Sequence, residues 1–285
     1  MALDVYQIVT DRIISELENG IIPWRKPWTG VSPLNGGAFN RVTKKSYSML
    51  NQMLLAQGGE YASFNQWKKL GGKIRKGEKQ KIVVFWKIIH KEVEDKEGNK
   101  KVVGIPFLQY YGVFHISQVD GVEPLNLDEL EEVDPIPEAD EIITSYVNRE
   151  GINYQEIASN EAYYSPLDDR VVVPMKSQFE NANEFYSTAF HELTHSTGAK
   201  SRLDRIKTGI ESHFGGIEYS KEELVAELGA AGMLNLLGME TPATFKNSTA
   251  YIQSWIRALK NDKRMIVSAS SKAEKAIAYI LGNAE

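Results

Sequence analysis

Two imidazoles and a carboxylate stand at fixed spacing in His191-Glu192-Leu193-Thr194-His195. The chain has only five histidines, and two of them fall in this pentapeptide. On an α-helix, residues i and i+4 lie on one face, one turn apart. His191 and His195 would then turn two nitrogens toward a single cation. Glu192, beside the first of them, is placed to act as general base on a hydrolytic water. A histidine on an apolar helix face is ordinarily a packed core residue, so the flanking sequence must carry part of the weight. Asn181 and Glu184 suit a helix start. Tyr186, Ala189, Phe190, Leu193 and Thr197 keep a helical spacing of mostly apolar residues. Gly198 is expected to end the helix in a left-handed cap.

A catalytic zinc needs a third protein ligand. In the spacing HExxHxxGxxH the third histidine would fall at Ser201, a poor ligand, so that completion fails. Residues 219–230 offer another. Ser220 with Glu223 reads as a capping box that opens a helix, and Leu224, Leu228 and Ala231 continue an apolar stripe. Glu223 and Glu227 share a face at i, i+4. Carboxylates beside an apolar stripe are costly to desolvate unless a cation or hydrogen bonds offset them. Glu223 is therefore the expected third ligand, and Glu227 the expected acceptor orienting a ligand histidine. The same pair also fits a solvated helix face, and Asp204 and His213 are rival ligands. Tyr219 and His213 are candidates to stabilise an oxyanion. With no cysteine in the chain, histidine and carboxylate ligation is the zinc chemistry open to it, and one Zn2+ per chain is the expected cofactor. The ExxxE spacing resembles the ligand helix of gluzincin peptidases.

The elements that would position these groups divide by charge. Residues 1–120 carry 18 Lys and Arg against 11 Asp and Glu, a net +7; residues 121–285 carry 15 against 27, a net −12. Such asymmetry between halves suggests two domains with different partners. The sign changes in a stretch with Pro124, Pro135 and Pro137 around the acidic run 128–134, which reads as an exposed linker over 121–140. Hydrophobic content of 42% with 25% charged residues suits a globular chain of one or two domains. No apolar run reaches about eighteen residues, so no membrane helix is expected. The mixed polar and apolar N-terminus reads as an amphipathic helix over 2–19. A cytoplasmic location is consistent with the absence of cysteine.

The basic half reads as helices near 47–57 and 63–70, a strand over 82–93, a hairpin turn at 97–99, a return over 102–108 and a third strand over 110–116. Residues 23–28, Pro-Trp-Arg-Lys-Pro-Trp, read as extended. Seven cations crowd residues 68–81: Lys68, Lys69, Lys73, Arg75, Lys76, Lys79 and Lys81. Arg41, Lys44 and Lys45 add to them, with Trp24, Arg25, Lys26, Trp28 and Trp67 nearby. Cations with interleaved aromatics suit single-stranded nucleic acid, where bases stack and phosphates are neutralised. The same residues also fit a tryptophan core under a solvated lysine face.

The acidic half reads as a helix over 141–149, a strand over 152–157, and a hairpin pairing 161–164 with 171–173. Two amphipathic helices follow over 251–260 and 271–281. Peptide substrates often add to an exposed sheet edge, and residues 171–173 are the candidate edge.

Both halves carry a resemblance. Pro23-Trp24-Arg25-Lys26-Pro27-Trp28, Asn51, Trp67 and the run from Gly71 to Glu78 carry it in the first. The stretch from Phe190 to Gly198, Tyr219 and Glu222-Glu223-Leu224-Val225-Ala226-Glu227 carry it in the second. Together they resemble the ArdC-type antirestriction proteins of plasmids and other mobile elements, over nearly the whole length. The resemblance implies an α+β chain with two domains. One is an N-terminal α+β domain that binds single-stranded DNA, over 1–120. The other is a C-terminal zincin-like, gluzincin-type metallopeptidase domain, over 141–285. It implies protection of DNA entering a cell by conjugation. It does not say what the peptidase cuts; a host protein is the expected substrate. Two functions stay open on the sequence: a DNA-targeted zinc metallopeptidase, and a DNA-binding protection protein whose zinc site is structural or vestigial.

Overall fold

The structure is a computed structural model that describes residues 4–25, 37–94, 100–125, 135–206, 217–239 and 249–283. Lys26, Trp28, the 97–99 turn, the acidic run 128–134 and His213 lie outside the described residues.

Helix α1 (Val5–Glu18) starts where the Asp4 side chain accepts from the backbone N–H of Tyr6 and Gln7. Its buried stripe is Val9, Ile13 and Leu17. Trp24 follows in a 3-10 turn (Pro23–Arg25) rather than an extended segment. The first half then runs β1 (Ala38–Asn40), α2 (Met49–Leu55), β2 (Gly59–Ala62), α3 (Phe64–Lys69), β3 (Lys73–Ile74), β4 (Lys81–Glu94), β5 (Lys100–His115) and β6 (Val119–Asp120). Strand order is β1-β2-β5-β4, with β1 and β2 parallel and the rest antiparallel; β3 pairs with β6. The two strands expected over 102–116 are one continuous strand, because β5 pairs residue for residue along all 14 residues of β4. Asn51 on α2 explains how the ribbon is held. Its amide donates to the Val84 carbonyl and accepts from the Val84 N–H at 2.8 and 2.7 Å, standing in for a strand neighbour.

The second half runs α4 (Pro135–Glu150), β7 (Asn153–Ile157), β8 (Tyr163–Ser165), β9 (Arg170–Pro174), α5 (Ala182–Ser196), α6 (Ile217–Leu236), α7 (Thr249–Asn261) and α8 (Met265–Ile280). Residues 135–140, expected in the linker, already belong to α4, where Ala139 is fully buried. Proline at a helix start loses no hydrogen bond, which the linker reading overlooked. Strand order is β7-β9-β8. Residues 171–173 are thus the buried centre of the sheet, and the edges are β7 and the antiparallel β8. Three successive valines mark a strand covered on both faces. Ser220 lies inside α6, with its hydroxyl 3.4 Å from that of Ser254, so it caps nothing.

The change of charge near residue 120 is not a change of packing. One core joins Val9, Ile13 and Leu17 of α1, Met53 of α2 and Val84 of β4 to Leu193, Leu228, Leu234, Leu259 and Ile277 of the later helices. Polar ties cross with it: the Thr10 hydroxyl donates to the Lys263 carbonyl at 2.7 Å, and the Met49 N–H to the Glu274 carboxylate at 2.6 Å. The Trp24 ring meets Trp255 edge-on at 5.3 Å. Helix α6, buried without a break from Leu224 to Leu234, belongs to this core. Among the described residues no helix is long and apolar enough to cross a membrane.

Candidate metal centre

Helix α5 begins where Asn181 accepts from the Glu184 N–H. Its inner face, Phe185, Ala189 and Leu193, is buried, packed against β8 and β9 on one side and α6 on the other. Gly229 permits the close approach of α6: a Cβ there would lie 2.4 Å from Thr194 Oγ1. That closeness brings Glu223 to the histidines. His191 Nε2 and His195 Nε2 are 3.1 Å apart; Glu223 oxygens lie 3.6 Å from the first and 3.4 Å from the second. Ligand atoms on a tetrahedral zinc with bonds of about 2.0–2.1 Å are separated by about 3.3 Å. The three side chains are thus gathered at separations close to this, with one Glu223 oxygen toward each ring.

The electrostatics agree. Burial of the His195 ring works against its charged form, but Glu222, Glu223 and Glu192 outweigh it and raise the group to about 10. Burial likewise disfavours the Glu223 carboxylate, but His191 and His195 hold it far below the usual carboxylate range. In the absence of metal a proton supplies the positive charge that these carboxylates require.

Glu222 is the functional residue that sequence reasoning missed. Its carboxylate lies 3.6 Å from His195 Nδ1, the ring nitrogen turned away from the ligand triangle. It is pulled below its ordinary value because His195 and Arg205 outweigh its burial. Arg205 donates to Glu222 at 2.9 Å, to the Thr197 hydroxyl at 2.8 Å and to the Thr194 carbonyl at 2.7 Å. It brackets the end of α5 to the start of α6. Arg202, also from the loop after α5, donates to Asp169 at 2.9 Å and to the Ser196 carbonyl at 2.7 Å. Arginines spaced along a loop without regular periodicity leave no signal for this.

Gly198 is not a left-handed cap. The cap residue is Thr197, and a Cβ at Gly198 would lie 2.8 Å from Ile206, so the glycine serves the return of the loop. Glu192 is buried on α5. Glu227 is buried one turn beyond Glu223 on α6, and Tyr219 is half-buried one turn before it. Asp204 sits at positive φ in the loop and is not among the side chains gathered as ligands.

The expected DNA contacts separate into two sets. Trp67 and Trp24 are corrections. Trp67 is fully buried and donates from its indole to the Phe114 carbonyl at 2.9 Å; Trp24 is buried against Trp255. Neither ring can stack a base, because packing claimed their large apolar area first. Arg41 pairs with the buried Glu60. Arg75 pairs with Glu78 and Asp120. Lys44, Lys45, Lys68, Lys69, Lys73, Lys76 and Lys79 are exposed. Arg25 closes the turn after α1.

A helix that carries both histidines and a glutamate from the next helix, packed on a small sheet with an antiparallel edge, defines a zincin-like metallopeptidase domain. The model of that family, described as a zincin-like metallopeptidase, matches residues 139–272. The other half fits a second model: residues 3–114 match the N-terminal domain of the anti-restriction factor ArdC. The chain belongs to the ArdC antirestriction family. Its fold is similar to crystal structures of the ArdC protein from plasmid R388. The metal-free form aligns with a TM-score of 0.76 at 34% identity over 99% of this chain and 98% of that one. The Mn(II)-bound form aligns at 0.74 and 33%, with the same coverage. An uncharacterized protein, y4eC, of Sinorhizobium fredii is 33% identical over 95% of this chain and 90% of its own length. Two DNA primases TraC of Escherichia coli are 31% identical over 97% of this chain. The chain spans only 20% and 27% of those primases.

Proposed function

We propose that this chain is an antirestriction protein that binds single-stranded DNA through residues 1–120 and hydrolyses a peptide bond at a divalent-metal centre in residues 141–285. The acidic stretch that precedes α4 connects them. The observation that carries the reading is the convergence of His191, His195 and Glu223 at separations close to those of metal ligands. His191, His195 and Glu223 would hold a divalent cation, zinc in our reading, which would supply Lewis acidity and lower the pKa of water toward neutrality. The Mn(II)-bound relative is consistent with a divalent ion at such a site. Glu192, adjacent to His191, takes the proton of the attacking water and delivers it to the leaving amine. Glu227 orients a ligand imidazole from the second turn of the same helix face. Tyr219, one turn before Glu223, is the phenol we assign to the developing oxyanion. The edge strand β8 receives an extended substrate segment, with a host protein as the source.

Binding of DNA would place this chemistry on the strand entering a cell. The family membership and the match to TraC primases support a mobile-element setting. The test is a Glu192→Gln variant assayed for metal content, for cleavage of proteins in an extract of a restriction-competent host, and for protection of transferred DNA. Retained metal with lost cleavage and lost protection is expected. Protection unchanged in that variant would instead favour a purely DNA-binding role with a structural metal.

A further inference from the structure

The long β4–β5 ribbon sorts its side chains into two unlike faces. Residues opposite one another in an antiparallel pair share a face, and successive residues alternate. The register Val83↔Tyr111, Phe85↔Gln109, Lys87↔Phe107 and Ile89↔Ile105 defines one face. At its root Val83 and Val113 are buried with Tyr47 and Tyr61. Beyond the root it emerges into solvent: Tyr111 is 37% exposed, Phe85 40% and Phe107 49%. Lys87 and Lys101 are exposed on the same side, and no described residue of this face is a carboxylate. The opposite face is rooted in the main core through Val84 and Leu108 and carries Glu92.

We infer that this face is the platform on which single-stranded DNA lies, a deepening that rests on the DNA-binding function proposed above. Tyr111, Phe85 and Phe107 occupy three successive rows, one ring per row, alternating between the strands. Rows on one face repeat every two residues, about 7 Å along the ribbon. Phe85 and Tyr111 already meet edge-on at 5.6 Å, which leaves their outer surfaces for a partner. An aromatic in each row offers stacking to unpaired bases, and Lys87 and Lys101 offer charge to the phosphates between them. A duplex hides its bases from such rings. A face with cations and, among its described residues, no carboxylates suits a polyanion better than the same face of a second copy, whose cations would repel its own. The ribbon thus supplies exposed rings that Trp24 and Trp67, both buried, cannot.

The test uses the full-length chain and a labelled oligonucleotide of about 20 unpaired nucleotides, followed by fluorescence anisotropy at two salt concentrations. Phe107→Ala is expected to weaken binding about tenfold, the size of one lost stacking contact. Lys87→Glu should weaken it and flatten its salt dependence. Phe107→Trp should bind as the parent does, with its added fluorescence quenched by the oligonucleotide. Ile88→Ala, on the opposite face, should change nothing. If the parent binds and Phe107→Ala and Lys87→Glu bind equally well, the ribbon assignment is overturned while the DNA-binding function stands. A parent that binds no oligonucleotide removes both. Equal binding of duplex, or a dimer dissolved by Phe107→Ala with binding intact, also overturns the assignment.

Discussion

At the residue scale, the site is a contest between protons and a cation for the same nitrogens and oxygens. His195 stands at about 10 against an ordinary 6.5 in the metal-free protein. Its folded value is raised, so its contribution to stability is complete below about pH 6.5 and is lost as pH rises through about 10. A metal ion must displace that proton. We expect metal binding at neutral pH to release about one proton, and affinity to climb with pH up to about 10. Calorimetry in buffers of different ionisation enthalpy measures the release directly; none at all would remove His195 from the ligand set. Glu223→Ala should abolish stoichiometric metal, read by elemental analysis. Glu222→Gln should keep the ligand triangle but weaken metal affinity by about 10–100-fold, since it removes the carboxylate facing His195 Nδ1. An unchanged affinity would show that Arg205 and packing suffice to orient the ring.

At the element scale, the decisive contact is the close passage of α6 over α5. Gly229 faces Thr194, whose side chain is fully buried and whose hydroxyl donates to the Phe190 carbonyl. Gly229→Ala has no room to relax without moving one helix. It should cost about 1–3 kcal/mol, the usual range for overpacking, and should lower metal affinity as Glu223 is pushed away. Denaturant unfolding with and without metal separates the two effects. Substitution of Arg205 by Ala should weaken metal binding too, because the bracket between the two helices is lost while every ligand remains. Both helices were legible in the sequence from their apolar spacing, and so was the pairing of His191 with His195. Glu223 was legible as the third ligand from its spacing. That Glu222 faces His195 Nδ1 was not, because three carboxylates within six residues differ only in helix phase. Capping at Ser220 and Gly198 was misread for a related reason: both are ordinary helix-end residues whose tertiary contacts here serve packing.

At the scale of the whole molecule, the two oppositely charged halves share one hydrophobic core. Helix α1 contributes Ile13 and Leu17 to the cluster that also holds Leu259 and Ile266. Ile13→Ala should therefore destabilise the metal-bearing half as well, by about 2–5 kcal/mol. Cooperative unfolding should follow: fluorescence from the tryptophans and loss of bound metal should report coincident transitions, and added metal should raise both. Separate transitions would mean that the shared core is too weak to couple the halves. If they are coupled, occupancy of the DNA platform and of the metal site stabilise the same fold.

The sequence by itself determined the local chemistry. HExxH on a helical stripe needs only a 3.6-residue period to bring two imidazoles together, and the charge of each half is a property of composition. Tertiary structure decided everything that depends on which surfaces meet. It brought Glu223 to the histidines by laying α6 across a glycine, set Glu222, held by Arg205, against His195, made residues 171–173 the sheet centre, and buried the tryptophans that looked suited to DNA. The physical reason is that burial belongs to no single segment. A tryptophan or a run of valines has the same sequence whether it faces water or a core, and only the packing of distant elements settles which.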